Sequence, residues 1–275
     1  MPEGPTIHRV ARDHREWISG ERLSICSPQG RFADDATLID RHKLVRIDAW
    51  GKHLFYHFAG KLVLHVHLGL YGRFRRSDNP PPEPRGAVRV RMTGKRYTID
   101  LNGPNQCEVI DEKEVAAIIA RLGADPLRDD AHPEKAWRRI SRSKAPIGQL
   151  IMDQSILAGV GNIYRTELLW LVRVHPLSVG KDFTRRQFNT LWKLSRELFA
   201  TAVEHERIIT VPIKSLKKPA DRLRARERFN IFNKPKCPRC GGAVKKFAMA
   251  KRRVFVCEKC QLPPDARTGG TPVSQ

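Results

Sequence analysis

Pro2 and Glu3, behind an initiator methionine, are the residues of this chain best suited to carbonyl chemistry. A small second residue lets the methionine be trimmed, which leaves a free proline nitrogen at the start of the chain. That nitrogen is a secondary amine, so its adduct with an aldehyde is an iminium, positively charged at every pH. An iminium is an electron sink, and amine nucleophiles activate carbonyl carbons in this way. Glu3, beside it, supplies a carboxyl able to move protons. Proline is common at position 2, so the pair gains meaning only from what accompanies it.

The second chemical signal is a quartet of thiols. Cys237 and Cys240 form one C-x2-C knuckle and Cys257 and Cys260 another, with sixteen residues between the two pairs. Two such knuckles offer four sulfurs to one tetrahedral zinc. Four protein ligands close the shell, so the metal is expected to be structural. Gly241 and Gly242 supply the backbone freedom of a knuckle, and Val244, Phe247, Val254 and Phe255 suffice for a two-stranded hairpin between the pairs. Its expected tip, Lys251, Arg252 and Arg253, presents fixed positive charge for phosphates or a DNA groove.

Composition points the same way. The 275 residues carry 51 Lys and Arg against 29 acids, a net charge of +22. Such a surplus predicts a polyanionic partner through counterion release. Nucleic acid is favoured over an anionic membrane, because no basic helix has a bulky apolar face. No apolar run reaches the ~18 residues of a membrane span. The start of the chain does not read as a signal peptide, so a cytoplasmic protein is expected. Cys26 and Cys107 are expected to be buried packing residues.

The elements that must position these groups fall into two styles. Ile7, Val10, Trp17 and Ile18 recur at helical spacing over 5–18, with Gly20 as a stop. β-rich segments follow at 44–48, 53–58, 61–68, 87–92 and 96–101, and 79–84 is a proline-rich loop. Helices are expected at 113–122, 146–155, 162–172 and 185–205. The segment 214–228 holds seven Lys or Arg against two acids and reads as a mobile basic loop that orders on DNA. Between 154 and 165, Gly159 and Gly161 join two helices and expose backbone N–H groups, with Asn162 as a further donor. That turn suits a phosphate backbone, and equally an ordinary helical hairpin.

The expected class is therefore α+β. An N-terminal antiparallel β-sandwich with a leading helix comes first, then a helical domain with a helix–two-turn–helix and a zinc-finger β-hairpin. The expected divisions are 1–115 for the sandwich, 116–140 for a linker and short helix, 141–228 for the helical DNA-binding domain, 229–262 for the zinc finger and 263–275 for a disordered tail.

In this order along the chain, Pro2-Glu3-Gly4, Gly51-Lys52, the stretch from His67 to Gly72, Asp153-Gln154 through Asn162-Ile163-Tyr164 and the cysteine quartet resemble the formamidopyrimidine-DNA glycosylase and endonuclease VIII family of base-excision repair. The resemblance implies that Pro2 attacks C1′ of a damaged nucleotide and that Glu3 serves as acid and base. It implies that Lys52 holds a phosphate or assists the ring oxygen, while Asn162 and Arg252 pin flanking phosphates, with Lys251 and Arg253 beside them. It further implies β,δ-elimination, a structural zinc as the only cofactor, and damaged DNA as the partner of a monomeric, nucleoid-associated bacterial protein. Leu70 and Tyr71 are the candidates for an apolar wedge that fills the gap left by the flipped nucleotide. His65 and His67 share a strand face but lack a third ligand nearby in sequence, which argues against a metal there.

Two departures bear on substrate. Thr6 stands where the family often has a glutamate, and Gly148 where the formamidopyrimidine branch usually has a lysine. With Leu70 and Tyr71, these favour the endonuclease VIII branch and oxidised pyrimidines, hydantoins or ring-opened bases. The alternatives are an 8-oxoguanine and formamidopyrimidine enzyme of the same family, or a non-catalytic zinc-containing protein that binds DNA damage.

Overall fold

A computed structural model describes residues 2–216 and 218–264. Most of the expected tail, 265–275, lies outside the described residues. The chain divides into two compact units, Met1–Leu122 and Gly123–Gln275. No helix among the described residues is long and apolar enough to cross a membrane.

The first unit opens with α1, Gly4–Ile18, which has Pro5 in its first turn, where a missing N–H costs no helical bond. It buries Ile7, Val10, Ala11 and Ile18 and stops before Gly20, whose φ of 84° suits glycine. Behind it stand two antiparallel sheets. One has the order β2 (Leu44–Trp50), β3 (His53–Phe58), β4 (Leu62–His67), β8 (Gln106–Asp111). The other has the order β1 (Ser24–Cys26), β6 (Val88–Thr93), β7 (Tyr97–Asn102), β5 (Arg73–Asp78). Strand β6 shows the reason: Val88, Val90 and Met92 point into the core while Arg89 and Arg91 alternate outward. Strands β3 and β4 are buried on both faces, because helix α3 (Glu112–Ala120) lays Val115, Ile118 and Ile119 over Phe55, Val63 and Ile110.

The five sequence-expected strands are present within a residue or two of their limits, and four elements were not expected. Strand β5 has Phe74 as its one apolar residue and pairs as a sheet edge, so it lacks the alternation of a half-buried strand. Strand β8 is likewise an edge, β1 is three residues long, and the short α2 (Ala33–Ile39) buries only Ala36 and Ile39. Cys26 is exposed at the end of β1 and so is not a packing residue; Cys107 is partly buried against the sandwich core.

The second unit is helical. Helix α6 (Asn162–Leu171) buries even its polar Arg165, Thr166 and Glu167, and α7 (Arg185–Glu204) begins in a Thr184–Gln187 capping box. Helix α4 (Pro133–Ile140) occupies what read as linker, anchored by buried Ala136 and Ile140. The helix expected over 146–155 is only α5, Ile147–Leu150. Asp153 ends it, since its side chain accepts from the N–H (2.9 Å) and hydroxyl (2.6 Å) of Ser155. An Asx turn of this kind competes with the helical ladder. The basic segment expected to be a mobile loop contains short 3-10 turns at Ala220–Arg222 and Ala225–Glu227. The Glu227 carboxylate there accepts from Lys218 Nζ (2.8 Å) and the Arg224 N–H (2.7 Å).

His14 ties α1 to the sandwich through a 2.7 Å bond between Nδ1 and the Tyr56 hydroxyl. Burial, helped by Arg9, pushes its imidazole down to about 3. Between that value and the ordinary 6.5, the unfolded chain binds a proton that the folded one refuses, so stability falls as pH falls through this window. From pH 7 to pH 5 this histidine is expected to cost about 2 kcal/mol. Urea unfolding at the two pH values should show a smaller pH penalty in His14→Gln than in the wild type.

Candidate functional site

The first unit carries the chain start. Pro2 is partly buried, and Glu3 has no exposed surface. Glu3 is the extended residue before α1, and its carbonyl accepts the Thr6 N–H at 2.9 Å. The residue therefore stands at the positive end of a 15-residue helix, where a negative charge is favoured, although its side chain makes no capping bond. Lys52 is the second residue of the two-residue turn between β2 and β3, whose last pair is Trp50 with His53. Gly51 has φ 58° there, so the hairpin needs glycine at its first central position.

Beside Lys52 lies a histidine network that sequence reading only half saw. His65 and His67 do share a face of β4, and β3 adds His53 opposite His67. Glu108 Oε1 accepts from His65 Nδ1 (2.9 Å), and His65 Nε2 meets His53 Nδ1 (2.9 Å). A carboxylate only accepts, so the protons are assigned along the chain: His65 carries its hydrogen on Nδ1, His53 donates to His65 from Nδ1, and His53 Nε2 carries no proton. Burial disfavours the charged form of all three imidazoles. It drives His53 down to about 3, reinforced by His65, His67, Arg121 and Lys52. It also lowers His65 and His67, with Glu108 opposing at His65 and Lys52 and His65 reinforcing at His67. The signal that could have found this network is the period-2 spacing of His53, Phe55 and His57 against His65 and His67 on neighbouring strands.

The loop from β4 to β5 presents the wedge candidates. Leu68 is buried, whereas Leu70 is 44% and Tyr71 84% exposed. The Gly72 N–H bonds the Leu68 carbonyl (2.9 Å), and a Cβ on Gly72 would stand 2.3 Å from that oxygen. Only glycine closes this turn, and the closed turn thrusts Leu70 and Tyr71 into solvent.

In the second unit, the glycine turn leads into α6. Gln154 braces it, donating to the Met152 (2.8 Å) and Val160 (2.9 Å) carbonyls and accepting the Gly159 N–H (3.0 Å). Asn162 opens α6 and is mostly buried; its Nδ2 donates to the Arg253 carbonyl at 2.9 Å and its Oδ1 accepts from Arg165. Arg165, fully buried, also reaches the Met249 carbonyl at 3.4 Å. The helix thus grips both strands of the hairpin, β9 (Lys245–Met249) and β10 (Arg252–Val256). The hairpin turn is Ala250–Lys251, both at positive φ, so Arg252 and Arg253 stand in β10 and not at the tip.

The four thiols converge at the base of this hairpin. Cys237 and Cys260 sulfurs are 3.8 Å apart, Cys240 and Cys257 3.4 Å, and all four lie within 4.8 Å of one another. A zinc tetrahedron with bonds of ~2.3 Å places its sulfurs about 3.8 Å apart, so the donor set fits the metal. Burial resists ionisation of Cys237, but hydrogen bonds from the Trp170 indole and from the Arg239 and Cys240 N–H groups outweigh it and bring the thiol down to about 6. Burial and the neighbouring thiols push Cys260 up to about 12. Four thiolates this close need a cation, and zinc is the structural cofactor of the hairpin. The segment entering it is clamped by Glu167, fully buried. Its oxygens accept from the N–H groups of Asn230 (2.8 Å), Ile231 (2.9 Å) and Phe232 (2.7 Å), and from Asn230 Nδ2 and the Thr210 hydroxyl.

A leading helix on a β-sandwich, a helix–two-turn–helix and a four-cysteine hairpin define the class of zinc-finger DNA-repair proteins. Residues 1–115 match the formamidopyrimidine-DNA glycosylase N-terminal domain, 122–212 its H2TH domain, and 234–262 the zinc finger found in FPG and IleRS. Endonuclease 8 1 of Mycobacterium tuberculosis is 45% identical over 267 residues, covering 95% of this chain and all of that protein. The formamidopyrimidine-DNA glycosylase of Chloroflexus aurantiacus is 28% identical over 95% of this chain and 98% of its own. Lactococcus lactis Fpg, solved with DNA containing an abasic site, shares the fold with a TM-score of 0.79 at 21% identity, over 95% of this chain and 100% of that one. The chain belongs to the formamidopyrimidine-DNA glycosylase and endonuclease 8 family, on its endonuclease 8 branch.

Two measurements check the second unit. Glu167→Gln puts an NH2 against groups that donate, and is expected to cost about 2–4 kcal/mol in denaturant unfolding. A strong chelator should release stoichiometric zinc and abolish DNA binding, as should Cys237→Ser.

Proposed function

We propose that the chain is a bifunctional DNA glycosylase and AP lyase that removes oxidised bases through a Schiff base on Pro2. The observation that carries this reading is Pro2 at the chain start, directly before a fully buried glutamate at the N-terminus of α1. The Pro2 nitrogen attacks C1′ of the damaged nucleotide, the N-glycosidic bond breaks, and the base leaves with a proton taken from water. The Glu3 carboxylate takes the proton that the Pro2 nitrogen loses and passes it to the sugar ring oxygen as the ring opens, leaving an iminium between Pro2 and C1′. The iminium acidifies the C2′ hydrogen; as a base takes it, the 3′ phosphate leaves, and a second elimination expels the 5′ phosphate. Hydrolysis of the remaining adduct returns the amine.

Pro2, Glu3, Lys52 and Arg252 form the proposed catalytic set. Lys52 brings an ammonium to a phosphate or to the ring oxygen from a rigid hairpin turn. One amide hydrogen of Asn162 is used by Arg253, and the second is available to a phosphate flanking the lesion, beside Lys251, Arg252 and Arg253. Leu70 and Tyr71 enter the stack, where filling the gap offsets an unstacking cost of a few kcal/mol. The divisions 1–115, 116–140, 141–228 and 229–262 are proposed as catalytic sandwich, linker with short helix, DNA-binding helical domain and zinc finger. The protein is proposed to act as a cytoplasmic, nucleoid-associated monomer.

Substrate choice is read from the site's exclusions. A Cβ at Gly148 would stand 2.8 Å from Met249 Sδ and 3.0 Å from the Pro176 carbonyl oxygen, so a lysine there requires the Met249 side chain to swing aside and the Pro176 carbonyl to give by a few tenths of an ångström. This supports oxidised pyrimidines, hydantoins and ring-opened bases over 8-oxoguanine, in keeping with the 45% identical endonuclease 8 relative.

Borohydride reduction on abasic-site DNA should trap a covalent complex with the wild type. Pro2→Gly and an N-terminally extended form should give none while keeping DNA affinity; trapping undiminished by capping the amine would refute the mechanism. Mass measurement should find the initiator methionine removed, whereas a retained methionine supports a non-catalytic damage-binding protein. Across defined lesions, release of thymine glycol is expected to exceed release of 8-oxoguanine opposite cytosine, and the reverse order would move the chain to the other substrate class.

A further inference from the structure

The wedge loop joins the two sheets of the sandwich, and the flanks it separates differ in chemistry. The strand before it, β4, belongs to the sheet that carries Lys52, His53 and His67. The strand after it, β5, is the edge of the other sheet and carries Arg73 and Arg75 on one face. These arginines, with Arg85 from the proline-rich loop, line an open hollow of about 650 Å³ whose remaining walls are Tyr71, Asn102, Gly86, Ala87 and Gly103.

Three features set the hollow apart from an ordinary solvated basic face. Arg73, Arg75 and Arg85 are exposed and form no ion pair or side-chain hydrogen bond among the described residues, although Asp100 lies across the strand pair from Arg75. That carboxylate is taken by Arg91, in a bidentate pair of 2.8 Å bonds. The wall formed by Gly86, Ala87 and Gly103 has no side chain larger than a methyl, which lets a bulky backbone approach. One rim is Tyr71, 84% exposed and itself one of the two wedge candidates.

We infer that this hollow binds backbone phosphates of the strand complementary to the lesion, which makes the N-terminal unit a reader of duplex DNA. The inference rests on the proposed function, because it needs Leu70 and Tyr71 to enter the stack. With the loop in the stack, the flank bearing Lys52 faces the damaged strand. The flank bearing the arginines then faces the strand opposite. Guanidinium groups suit phosphates as fixed, bidentate donors, and each phosphate contact on duplex DNA adds about 0.9 to the salt slope of binding.

The test compares the wild type with a triple variant, Arg73→Gln, Arg75→Gln and Arg85→Gln, on the same lesion oligonucleotide as duplex and as single strand. For the duplex, affinity at ~0.1 M salt should fall about tenfold or more, and the salt slope should become shallower by about 2 to 3. Affinity for the single strand and its borohydride trapping should hold. In addition, a photoreactive group placed at position 85 should label the complementary strand and leave the damaged strand unlabelled. Equal losses on duplex and single strand, or labelling of the damaged strand, would assign the arginines to the lesion strand and overturn the inference. An unchanged duplex salt slope would make them a solvated face and overturn it as well. Absence of trapping in the wild type would defeat the glycosylase reading alone, since the binding comparison and the labelling stand without it.

Discussion

A carboxylate with no exposed surface, one residue after the proposed nucleophile, is the constraint on which the first unit turns. Burying an ionised group costs many kcal/mol unless dipoles or partners compensate. Glu3 is placed at the positive end of the α1 dipole, which favours a negative charge. The chain start therefore cannot fray without exposing the helix terminus and moving the carboxylate. What holds Glu3 also holds Pro2, and α1 is itself fastened by His14 to Tyr56 and by the Arg15 guanidinium to the Ile47 carbonyl at 2.6 Å. The proposed nucleophile, on a terminus that is ordinarily the most mobile part of a chain, thereby gains the positional definition that covalent chemistry requires.

The second unit solves a related problem with polar groups inside a helix. Asn162, Arg165 and Glu167 lie on α6 within six residues and are all buried. Asn162 and Arg165 hold the hairpin strands through backbone carbonyls, while Glu167 collects the N–H groups of the segment that leads to Cys237. Every one of these bonds is directional, so they set the position of the hairpin as well as its stability. Zinc closes the far end. The cationic residues of β10 are thus mounted on a support braced at both its metal and its helix.

Much of the site was legible because its signals are local. The cysteine spacing, the glycine before Lys52, the glycines flanking Leu70 and Tyr71, and the pair Pro2 and Glu3 each state a geometric need within a few residues. Elements without such signals were missed. Strand β5 is rich in arginine because it is an edge with one solvent-facing side, and α4 confines its apolar stripe, Ala136, Trp137 and Ile140, to barely two turns. The helix expected over 146–155 failed for a different reason: Asp153 offers Ser155 a turn that outcompetes the next helical bonds. Cys26 was misjudged because a three-residue edge strand exposes what an average cysteine would bury.

By itself, the sequence determined which chemistry is possible: a proline and a glutamate at positions 2 and 3, four thiolates for one metal, a polycation for a polyanion, and a glycine-bounded loop for exposed apolar side chains. These follow from residue type and short spacing, and no fold alters them. Only the tertiary structure decided which distant groups meet. It joined His53 to His65 and Glu108, turned Asn162 inward to the Arg253 carbonyl, packed Gly148 tightly against Met249 and Pro176, and gathered Arg73, Arg75 and Arg85 around one hollow. The reason is physical: strand pairing and burial bring together residues far apart in the chain, and which charges keep or lose their partners is settled only when those neighbours are in place.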